Sequence, residues 1–185
     1  MTNNYKRKKN PQEVRLAILE SAEKIASTVG LSGLTIQAVA DEAKITKGGF
    51  FHHFDCKQSL IDAVFDRIIE KFSENVERYM QKDTLDHGKF SRAYVNTLFD
   101  DILENNGTLW SAAAISMILD PDLKARWTFW YEKQSCEHII SDGGLDLLTV
   151  RLAADGLWSG YVLGSSDYSV DEIENIRKHL INMTI

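Results

Sequence analysis

The segment LTIQAVADEAKITKGGFFHHFDCKQSL, residues 34–60, decides the fold of this chain. It reads as two short helices joined by a tight turn and followed by the start of a longer helix. Thr35 is a natural N-cap, and Thr46 offers a second one after the turn at Lys44. Apolar residues follow the first cap at the spacing of a helix with one buried face: Ile36, Val39, Ala40 and Ala43. The pattern predicts a helix-turn-helix.

The second of these helices opens with two adjacent glycines, Gly48 and Gly49. Each glycine costs about 1 kcal/mol relative to alanine inside a helix, so packing alone would not favour the pair. The glycines leave the N-terminal backbone N–H groups bare, and these suit an anion or the floor of a groove. Lys47 adds a charge that could reach guanine O6 and N7 or a phosphate. With Lys57 on the next helix, this is the layout of a DNA-reading helix.

The stretch ITKGGFFHHFDCKQSL, residues 45–60, resembles the recognition-helix signature of the TetR family of transcriptional repressors. Its positions are filled here by Thr46, Lys47, Gly48, Phe51, His53, Phe54, Lys57 and Leu60. The resemblance covers roughly residues 10–60, whereas the rest of the chain resembles the family mainly in length and helical content. It implies DNA contacts from Thr35, Gln37, Thr46, Lys47, Gly48, Gly49, His52, His53 and Lys57.

Two positions depart from the family pattern. The family usually has glycine in the turn where this chain has Lys44. A lysine held there at positive φ would carry roughly 1 kcal/mol of strain, unless the turn itself differs. The usual tyrosine is Phe51 here, so the phosphate hydrogen bond of its hydroxyl is lost. We therefore expect Phe51 to be a packing residue.

Composition favours a helical protein with a substantial core. The chain has 185 residues, 44% of them hydrophobic, and only two prolines. With the resemblance, this predicts an all-α fold of about nine helices: a basic arm and helix-turn-helix DNA-binding domain at 1–57, and a helical effector-binding and dimerisation domain at 58–185. No apolar run reaches about 18 residues and no signal peptide is evident, so we expect a soluble, cytoplasmic protein. Two distant cysteines suggest reduced thiols without a disulfide.

The net charge of −6 is unevenly distributed. Residues 1–57 hold nine Lys and Arg against six Asp and Glu, a balance of +3, whereas residues 58–185 hold twelve against twenty-one, a balance of −9. A positive head on an acidic body is typical of a DNA-binding domain joined to a dimerising one, although such an imbalance also arises by chance. The first nine residues end in Lys6, Arg7, Lys8 and Lys9. This arm would lie on phosphates or in a minor groove, or would only aid solubility.

Sequence signals also delimit the remaining helices. Asn10 and Pro11 begin the first, which ends near Gly30. The fourth is predicted from about Lys57 to Lys82 and would link the two domains. Cys56 at its start could have a lowered thiol pKa and sense redox state, or could simply replace a serine. Five further helices are predicted: Phe90 to Leu103 with a stop at Asn105-Asn106-Gly107, Leu109 to Leu119, Pro121 to Gly143, Asp146 to about Gly164, and Val170 to about Met183.

The predicted helix from Asp146 carries Gly156, Gly160 and Gly164, spaced four residues apart. Three helical glycines would cost roughly 2–3 kcal/mol, so something must require close backbone approach there. We expect either a homodimer interface along this stripe, as the resemblance also implies, or tight packing within one chain. Arg151 and Asp155, four residues apart, are expected to pair along the helix.

Aromatic residues are numerous in the predicted body. Flat hydrophobic or cationic molecules would suit a pocket lined by such rings, although each ring could equally belong to the core. Asp155 is a candidate polar anchor for a ligand or a partner in an internal salt bridge. The predicted pocket residues are Tyr94, Phe99, Trp110, Met117, Trp130, Asp155 and Trp158.

The sequence contains no motif that indicates catalysis. His52 and His53 are adjacent and point apart on a helix, so they are poor metal ligands, and no P-loop, GxGxxG or nucleophile elbow occurs. We expect no enzyme activity, cofactor or metal. The predicted function is a dimeric, ligand-responsive repressor that binds a double-stranded, pseudo-palindromic operator and is released by a small hydrophobic or amphiphilic effector. The alternative is a helical interaction protein of the same fold that binds neither operator nor effector.

Overall fold

The computed structural model describes residues 10–103, 107–165 and 167–185, without the side chains of residues 107 and 108. These ranges contain ten helices: α1 (Pro11–Val29), α2 (Ile36–Glu42), α3 (Lys47–Phe51), α4 (Lys57–Lys82), α5 (Lys89–Leu103), α6 (Gly107–Leu119), α7 (Pro121–Glu137), α8 (Ile139–Asp142), α9 (Leu145–Val162) and α10 (Val170–Asn182). They contain no strand, so the predicted all-α class is confirmed, with ten helices where about nine were expected. The basic arm at 1–9 and the predicted stop at Asn105-Asn106 lie outside the described residues.

Helices α1 to α3, which we call the head, pack around a small apolar core. The Asn10 side chain accepts a hydrogen bond from the Gln12 N–H at 3.1 Å, and Pro11 opens α1 as predicted. Two helices therefore begin where the sequence places them, since Thr35 also caps α2. The head's core side chains, two of them from α4, have no exposed surface: Ile18, Ala22, Leu31, Leu34, Val39, Phe50, Leu60 and Val64. This core fixes the angle at which α3 is presented.

The turn between α2 and α3 contains a lysine in the left-handed conformation. Lys44 has φ +55°, as expected for a position that favours glycine. Its N–H donates to the Asp41 carbonyl at 3.2 Å, and the Ile45 N–H donates to the Ala40 carbonyl at 2.9 Å. These two bonds form a Schellman motif that ends α2 and starts the chain toward α3. The strain predicted from the sequence is therefore located at Lys44.

Replacing Lys44 with glycine is expected to raise the free energy of unfolding by about 0.5–1 kcal/mol. Glycine relieves the left-handed strain in the folded chain, and this gain exceeds the loss from the greater entropy of the unfolded chain. Urea denaturation followed by circular dichroism measures the change. Lys24→Gly, in the exposed interior of α1, is the matched control and is expected to destabilise by about 1 kcal/mol instead. A Lys44→Gly variant less stable than the parent would contradict the account of this turn.

Helix α4 extends from the head into the body, over the residues predicted for it. It is tied back to α1 by Glu23, whose carboxylate accepts from Arg67 at 2.7 Å and from Lys71 at 2.6 Å. Glu23 is only 9% exposed, so these contacts are partly shielded from water. The ion pairs hold the pKa of Glu23 below its ordinary value against the opposing effect of burial, which is the largest single influence. Helix α4 is thereby fixed to the head along its first four turns.

The body is arranged around α5, which packs against α4, α9, α10 and α8. Helix α6 packs against α1 of the head, and α7 packs against α4 and α6. The helix predicted from Pro121 to Gly143 is interrupted at His138, which has φ −105° and ψ 18°. The interruption brings the α8 residue Asp142 to the N-terminus of α5, where its carboxylate accepts from the Ser91 N–H at 2.8 Å. None of the helices described is long and apolar enough to cross a membrane.

Candidate nucleic-acid interface and internal cavity

The N-terminus of α3 is exposed and capped by a single side chain. Thr46 Oγ1 accepts a hydrogen bond from the Gly49 N–H at 3.0 Å. A Cβ added at Gly48 would meet only Thr46 Oγ1, at 3.9 Å, whereas a Cβ at Gly49 would lie 3.3 Å from the same atom. Packing within the chain therefore does not require glycine at position 48, and a side chain at 49 would crowd the cap. The helix tip is left open to a ligand outside the chain.

The polar groups predicted around this tip are exposed. Lys47 is exposed and forms no ion pair with any residue that the structure describes. Thr35 accepts from the Ala38 N–H at 3.1 Å, and the exposed Gln37 amide donates to Asp41 at 2.8 Å. Thr35 and Gln37 are therefore already engaged within α2, whereas the Lys47 ammonium is available for a partner.

The C-terminal end of α3 differs from expectation. Phe50 is fully buried, whereas Phe51 is 45% exposed and contacts Phe50 edge to face at 5.5 Å. The predicted packing role of Phe51 is wrong, because adjacent side chains point about 100° apart around a helix and Phe50 is the one that faces the core. His52 is exposed and His53 half-buried, and both lie beyond the last helical residue.

Lys57, at the start of α4, is engaged within the head. Its ammonium donates to the Ser32 carbonyl at 2.7 Å, which ties α4 to the loop between α1 and α2. An ammonium has three donors, so two remain for a phosphate. Cys56 precedes it as the N-cap of α4, and its sulfur accepts from the Ser59 N–H at 3.4 Å. This backbone hydrogen bond lowers the pKa of the exposed Cys56 thiol, in the direction predicted.

A cavity of about 280 Å³, partly open to solvent, lies among α5, α6, α7 and α9. Its lining is mostly aromatic and aliphatic: Tyr94, Leu98, Trp110, Met117, Trp127, Tyr131, Leu148, Leu152, Asp155, Trp158 and Ser159. Five of the seven residues predicted for a pocket are among them. The volume lies just below the usual range for sites that take drug-sized ligands, so a compact molecule would fit.

The other two predicted pocket residues, Phe99 and Trp130, do not line this cavity. Phe99 is fully buried in the core, and Trp130 is 8% exposed and stacks behind Trp127 with ring centroids 4.9 Å apart. Placing them in a pocket wall was therefore wrong. Nothing in helical spacing separates a ring that faces a void from one that faces another side chain.

Sequence reasoning also missed several lining residues, although a signal for them existed. Trp127 and Tyr131 lie four residues apart and share one face of α7. Leu148, Leu152, Asp155 and Ser159 follow on α9 at spacings of four, three and four. Reading each of these helices for a shared face would have identified the walls, although Leu152 and Ser159 on that face of α9 are exposed where the cavity opens to solvent.

Asp155 is the acidic residue in the cavity wall. The Tyr94 hydroxyl donates to its Oδ1 atom at 2.7 Å. Burial raises the pKa of the Asp155 carboxyl above its ordinary value, and burial likewise raises the pKa of Tyr94. The predicted ion pair with Arg151 is not formed; Arg151 instead donates to Ser91 Oγ at 2.6 Å.

The three glycines predicted to share an interface occupy different settings. Gly156 is exposed on α9, and a Cβ added there would meet nothing within 4 Å. Gly160 is half-exposed in the same helix. Gly164 lies beyond the helix at φ +66°, where its N–H donates to the Tyr161 carbonyl and the Ser165 N–H donates to the Gly160 carbonyl. The assignment of Gly164 to a helical stripe was wrong, since its role is to end α9 in a Schellman motif.

A stripe of exposed leucines runs along α9 and the residue that follows it. Leu145, Leu152 and Leu163 are 77%, 57% and 69% exposed, and they lie on the same stripe as Gly156. Large exposed aliphatic side chains on one helix face are typical of an interaction surface. We call this surface the α9 stripe. Elsewhere, no group of three or more His, Cys, Asp or Glu residues in the described ranges is arranged to hold a metal ion.

Comparison with known proteins covers both halves of the chain. Residues 88–185 match the family model described as "Tetracyclin repressor-like, C-terminal domain", and residues 18–64 match that described as "Bacterial regulatory proteins, tetR family". In Pseudomonas putida, the probable HTH-type transcriptional regulator ArpR is 27% identical over 96 residues, which are 52% of this chain and 46% of ArpR. The HTH-type transcriptional regulator TtgR, from the same species, is 26% identical with the same coverage. The chain thus matches about half the length of these curated relatives.

Solved structures share the fold at low identity. A TetR-family member from Streptomyces coelicolor superposes with a TM-score of 0.72 at 19% identity, covering 94% of this chain and 99% of that one. The multidrug binding protein EbrR, complexed with malachite green, superposes with a TM-score of 0.70 at 19% identity, covering 92% and 98%. At this identity the likeness establishes the fold alone.

Proposed function

The chain belongs to the TetR family of bacterial regulatory proteins, and from that premise we propose that it is a ligand-responsive transcriptional repressor. In this proposal it acts as a homodimer on a double-stranded, pseudo-palindromic operator, and a small hydrophobic or amphiphilic effector releases it. The observation that carries the proposal is the open tip of α3, where Lys47 has no ion-pair partner among the described residues and Gly48 is not required by packing. A DNA-bound regulator of this kind would act in the cytoplasm, and the proposal assigns it no catalytic role.

The DNA-binding part of the proposal places the tip of α3 in the major groove. Thr46, Lys47, Gly48 and Gly49 would approach base edges and the phosphates beside them, with Lys57 on the backbone. The described part of residues 1–57 has five basic and six acidic residues, so the positive balance of this region comes from the arm at residues 6–9. Nonspecific affinity for DNA should therefore depend strongly on that arm.

Dimerisation would set the spacing of the two heads. The α9 stripe exposes leucines around Gly156. Because no atom of the chain lies within 4 Å of a Cβ added at Gly156, a helix from a second copy could approach the backbone closely there. Two heads related by a twofold axis would occupy major-groove sites about one helical turn apart. The operator is therefore expected to be pseudo-palindromic.

Effector binding would act on the head through two helices that line the cavity. Helix α6 packs against α1, and α7 contacts α4 near its start. On α7, Arg126 donates to Asp66 at 2.7 Å, and Asp120 just before α7 accepts from Gln58 at 3.2 Å. A ligand that shifts α6 or α7 would change the population of head orientations that fit the operator. The related fold of EbrR is solved with malachite green, which supports a ligand in a cavity of this fold.

Replacing Lys47 with alanine is expected to weaken operator binding by about 1–3 kcal/mol per head and to relax base preference at the contacted position. Fluorescence anisotropy with the DNA that flanks the gene for this chain measures the affinity. Lys124→Ala, an exposed lysine on α7 far from α3 in sequence, is the matched control and should leave binding unchanged. An unaltered affinity of the Lys47→Ala variant would remove Lys47 from the interface. A parent protein without any salt-dependent DNA affinity would instead favour the interaction-protein alternative.

A further inference from the structure

We infer that the cavity among α5, α6, α7 and α9 takes a compact organic cation with an aromatic body, held by the aromatic walls and by the Asp155 carboxylate. This inference rests on the proposed role of the cavity as the effector site, and it assigns that effector a positive charge. It follows from three features of the lining: the number of rings, the sign of the charge, and the way that neighbouring charges are already paired.

Five aromatic rings, from α5, α6, α7 and α9, line the cavity. Trp110 contacts Trp127 edge to face at 5.2 Å and Trp158 at 5.9 Å, and Tyr94 contacts Tyr131 at 5.9 Å. Cations bind aromatic faces at centroid distances within about 6 Å, and desolvation strengthens the attraction. Rings in mutual contact cannot turn away without disturbing one another, so the walls are preorganised for such a ligand.

The cavity wall carries one negative charge and no positive one among the described lining residues. Asp155 receives one hydrogen bond through Oδ1, from the Tyr94 hydroxyl, and no hydrogen bond from the other described residues reaches its Oδ2 atom. A carboxylate buried among rings is poorly solvated, which is why its pKa is raised. A bound cation would restore the lost stabilisation, a neutral ligand would not, and an anion would be repelled.

The nearby Arg151 guanidinium offsets the charge of Asp155 only in part, because its attraction lowers the pKa of Asp155 by less than burial raises it. Arg151 lies one turn before Asp155 on α9 but is only 4% exposed and does not line the cavity. Its guanidinium donates to Ser91 Oγ at 2.6 Å and to the Asp142 carbonyl at 3.2 Å. It also lies 4.0 Å from the Asp142 carboxylate, which compensates part of its charge, and its Nε atom donates to the hydroxyl of the cavity-lining Tyr131 at 3.3 Å.

A second cavity shares Trp110 with the first but has a different electrostatic character. It measures about 290 Å³, and its lining includes Lys71 and Arg78 opposite Asp100 and Asp101. This lining carries two cations and two carboxylates, and Lys71 and Asp100 are also paired with Glu23 and Arg177 outside it, so this cavity has no net preference for a positive ligand. The contrast assigns the cation to the cavity that contains Asp155.

Three probes of nearly the same size and shape test the inference on the full-length protein: phenyltrimethylammonium, its neutral isostere tert-butylbenzene, and the anion benzenesulfonate. Isothermal titration calorimetry is expected to give the cation an affinity at least about tenfold above the neutral probe, with the anion weakest. Asp155→Asn, which keeps an acceptor for Tyr94, should lower the affinity for the cation about tenfold and leave the neutral probe unaffected. Asp146→Asn removes an exposed carboxylate from the same helix and is the matched control for both probes.

The outcomes separate this inference from the proposed function. Equal affinity for the cation and the neutral probe, or a cation affinity that survives Asp155→Asn, would overturn the assignment of charge while leaving the cavity as a ligand site. If none of the three probes binds, both the cation site and the effector role of the cavity are overturned. Operator binding, measured separately on the same protein, reports on the DNA-binding part of the proposal alone.

Discussion

Replacing Asp142 with alanine is expected to lower the free energy of unfolding by about 3–5 kcal/mol, because it strands a buried arginine and uncaps a buried helix. The Asp142 carboxylate is 3% exposed and accepts from the N–H and Oγ of Ser91 at 2.8 and 2.7 Å. It also accepts from Ser141 Oγ at 2.8 Å and from the Phe90 N–H at 3.3 Å. These bonds satisfy the N-terminus of α5, the helix on which the body packs.

The loss should arise chiefly from the arginine that remains. Arg151 is 4% exposed, and without the Asp142 carboxylate it would keep hydrogen bonds to Ser91, Tyr131 and the carbonyl of residue 142 but no ion-pair partner among the described residues. Adding Arg151→Met to the Asp142→Ala variant is therefore expected to recover part of the lost stability, since no buried charge remains. Urea denaturation measures all three proteins. Asp146→Ala, exposed on α9, is the control and should stay within about 0.5 kcal/mol of the parent. A loss below about 1 kcal/mol for Asp142→Ala would contradict the role given to this network.

The second large effect is expected for Gly156→Leu, which should convert the proposed dimer to a monomer. The α9 stripe can approach a second helix closely only where side chains are small, and a leucine at its centre would hold the two helices apart. Operator affinity should then fall by about 100-fold or more, because the two heads no longer bind as a linked pair. The folded chain itself should be unharmed, since the added side chain meets no atom of its own chain within 4 Å.

Sedimentation velocity and circular dichroism together test this prediction. The variant is expected to sediment as a folded monomer, with helix content equal to that of the parent. Ala125→Leu adds a similar exposed side chain on α7 and should leave the dimer intact. A Gly156→Leu protein that remains dimeric would move the interface away from the α9 stripe. A variant that loses its helix content would show that α9 is constrained by contacts within the chain.

Local signals in the sequence predicted the helix boundaries well, because caps act on their own neighbours. Asn10, Thr35 and Thr46 each cap the helix that follows them, as the sequence predicted. The left-handed conformation of Lys44 was likewise foreseen, since a Schellman turn imposes it whatever residue is present. These features depend on interactions within about five residues.

Features that depend on distant partners were not predicted. The break of the long helix at His138 lets Asp142 cap α5, and the two contacting residues lie 51 positions apart in the chain. Nothing within residues 121–143 signals that the carboxylate is needed elsewhere. Arg151 illustrates the same limit. Its spacing from Asp155 indicated an ion pair along one helix, whereas in the structure its guanidinium donates a hydrogen bond to Ser91 Oγ.

The aromatic residues show why a cavity is harder to predict than a core. Trp127 and Trp130 are both hydrophobic and lie on one helix, yet only Trp127 lines the cavity. Helical periodicity separates inward from outward faces, but a void exists only where side chains from several helices fail to meet. Phe50 and Phe51 show the same limit. Both are aromatic neighbours on α3, and only the side of α3 that faces the core determines that Phe50 is buried and Phe51 exposed.

The central claim is that the glycine-led tip of α3 reads duplex DNA from a paired body. Selection of binding duplexes from a random pool, carried out with the full-length protein and with its Lys47→Ala variant, tests it most directly. The parent is expected to enrich a twofold-symmetric sequence whose half-sites lie about 10 base pairs or a multiple of that apart, and the variant should bind that sequence more weakly. A pool that shows no enrichment, or an enriched sequence bound equally by both proteins, would contradict the claim.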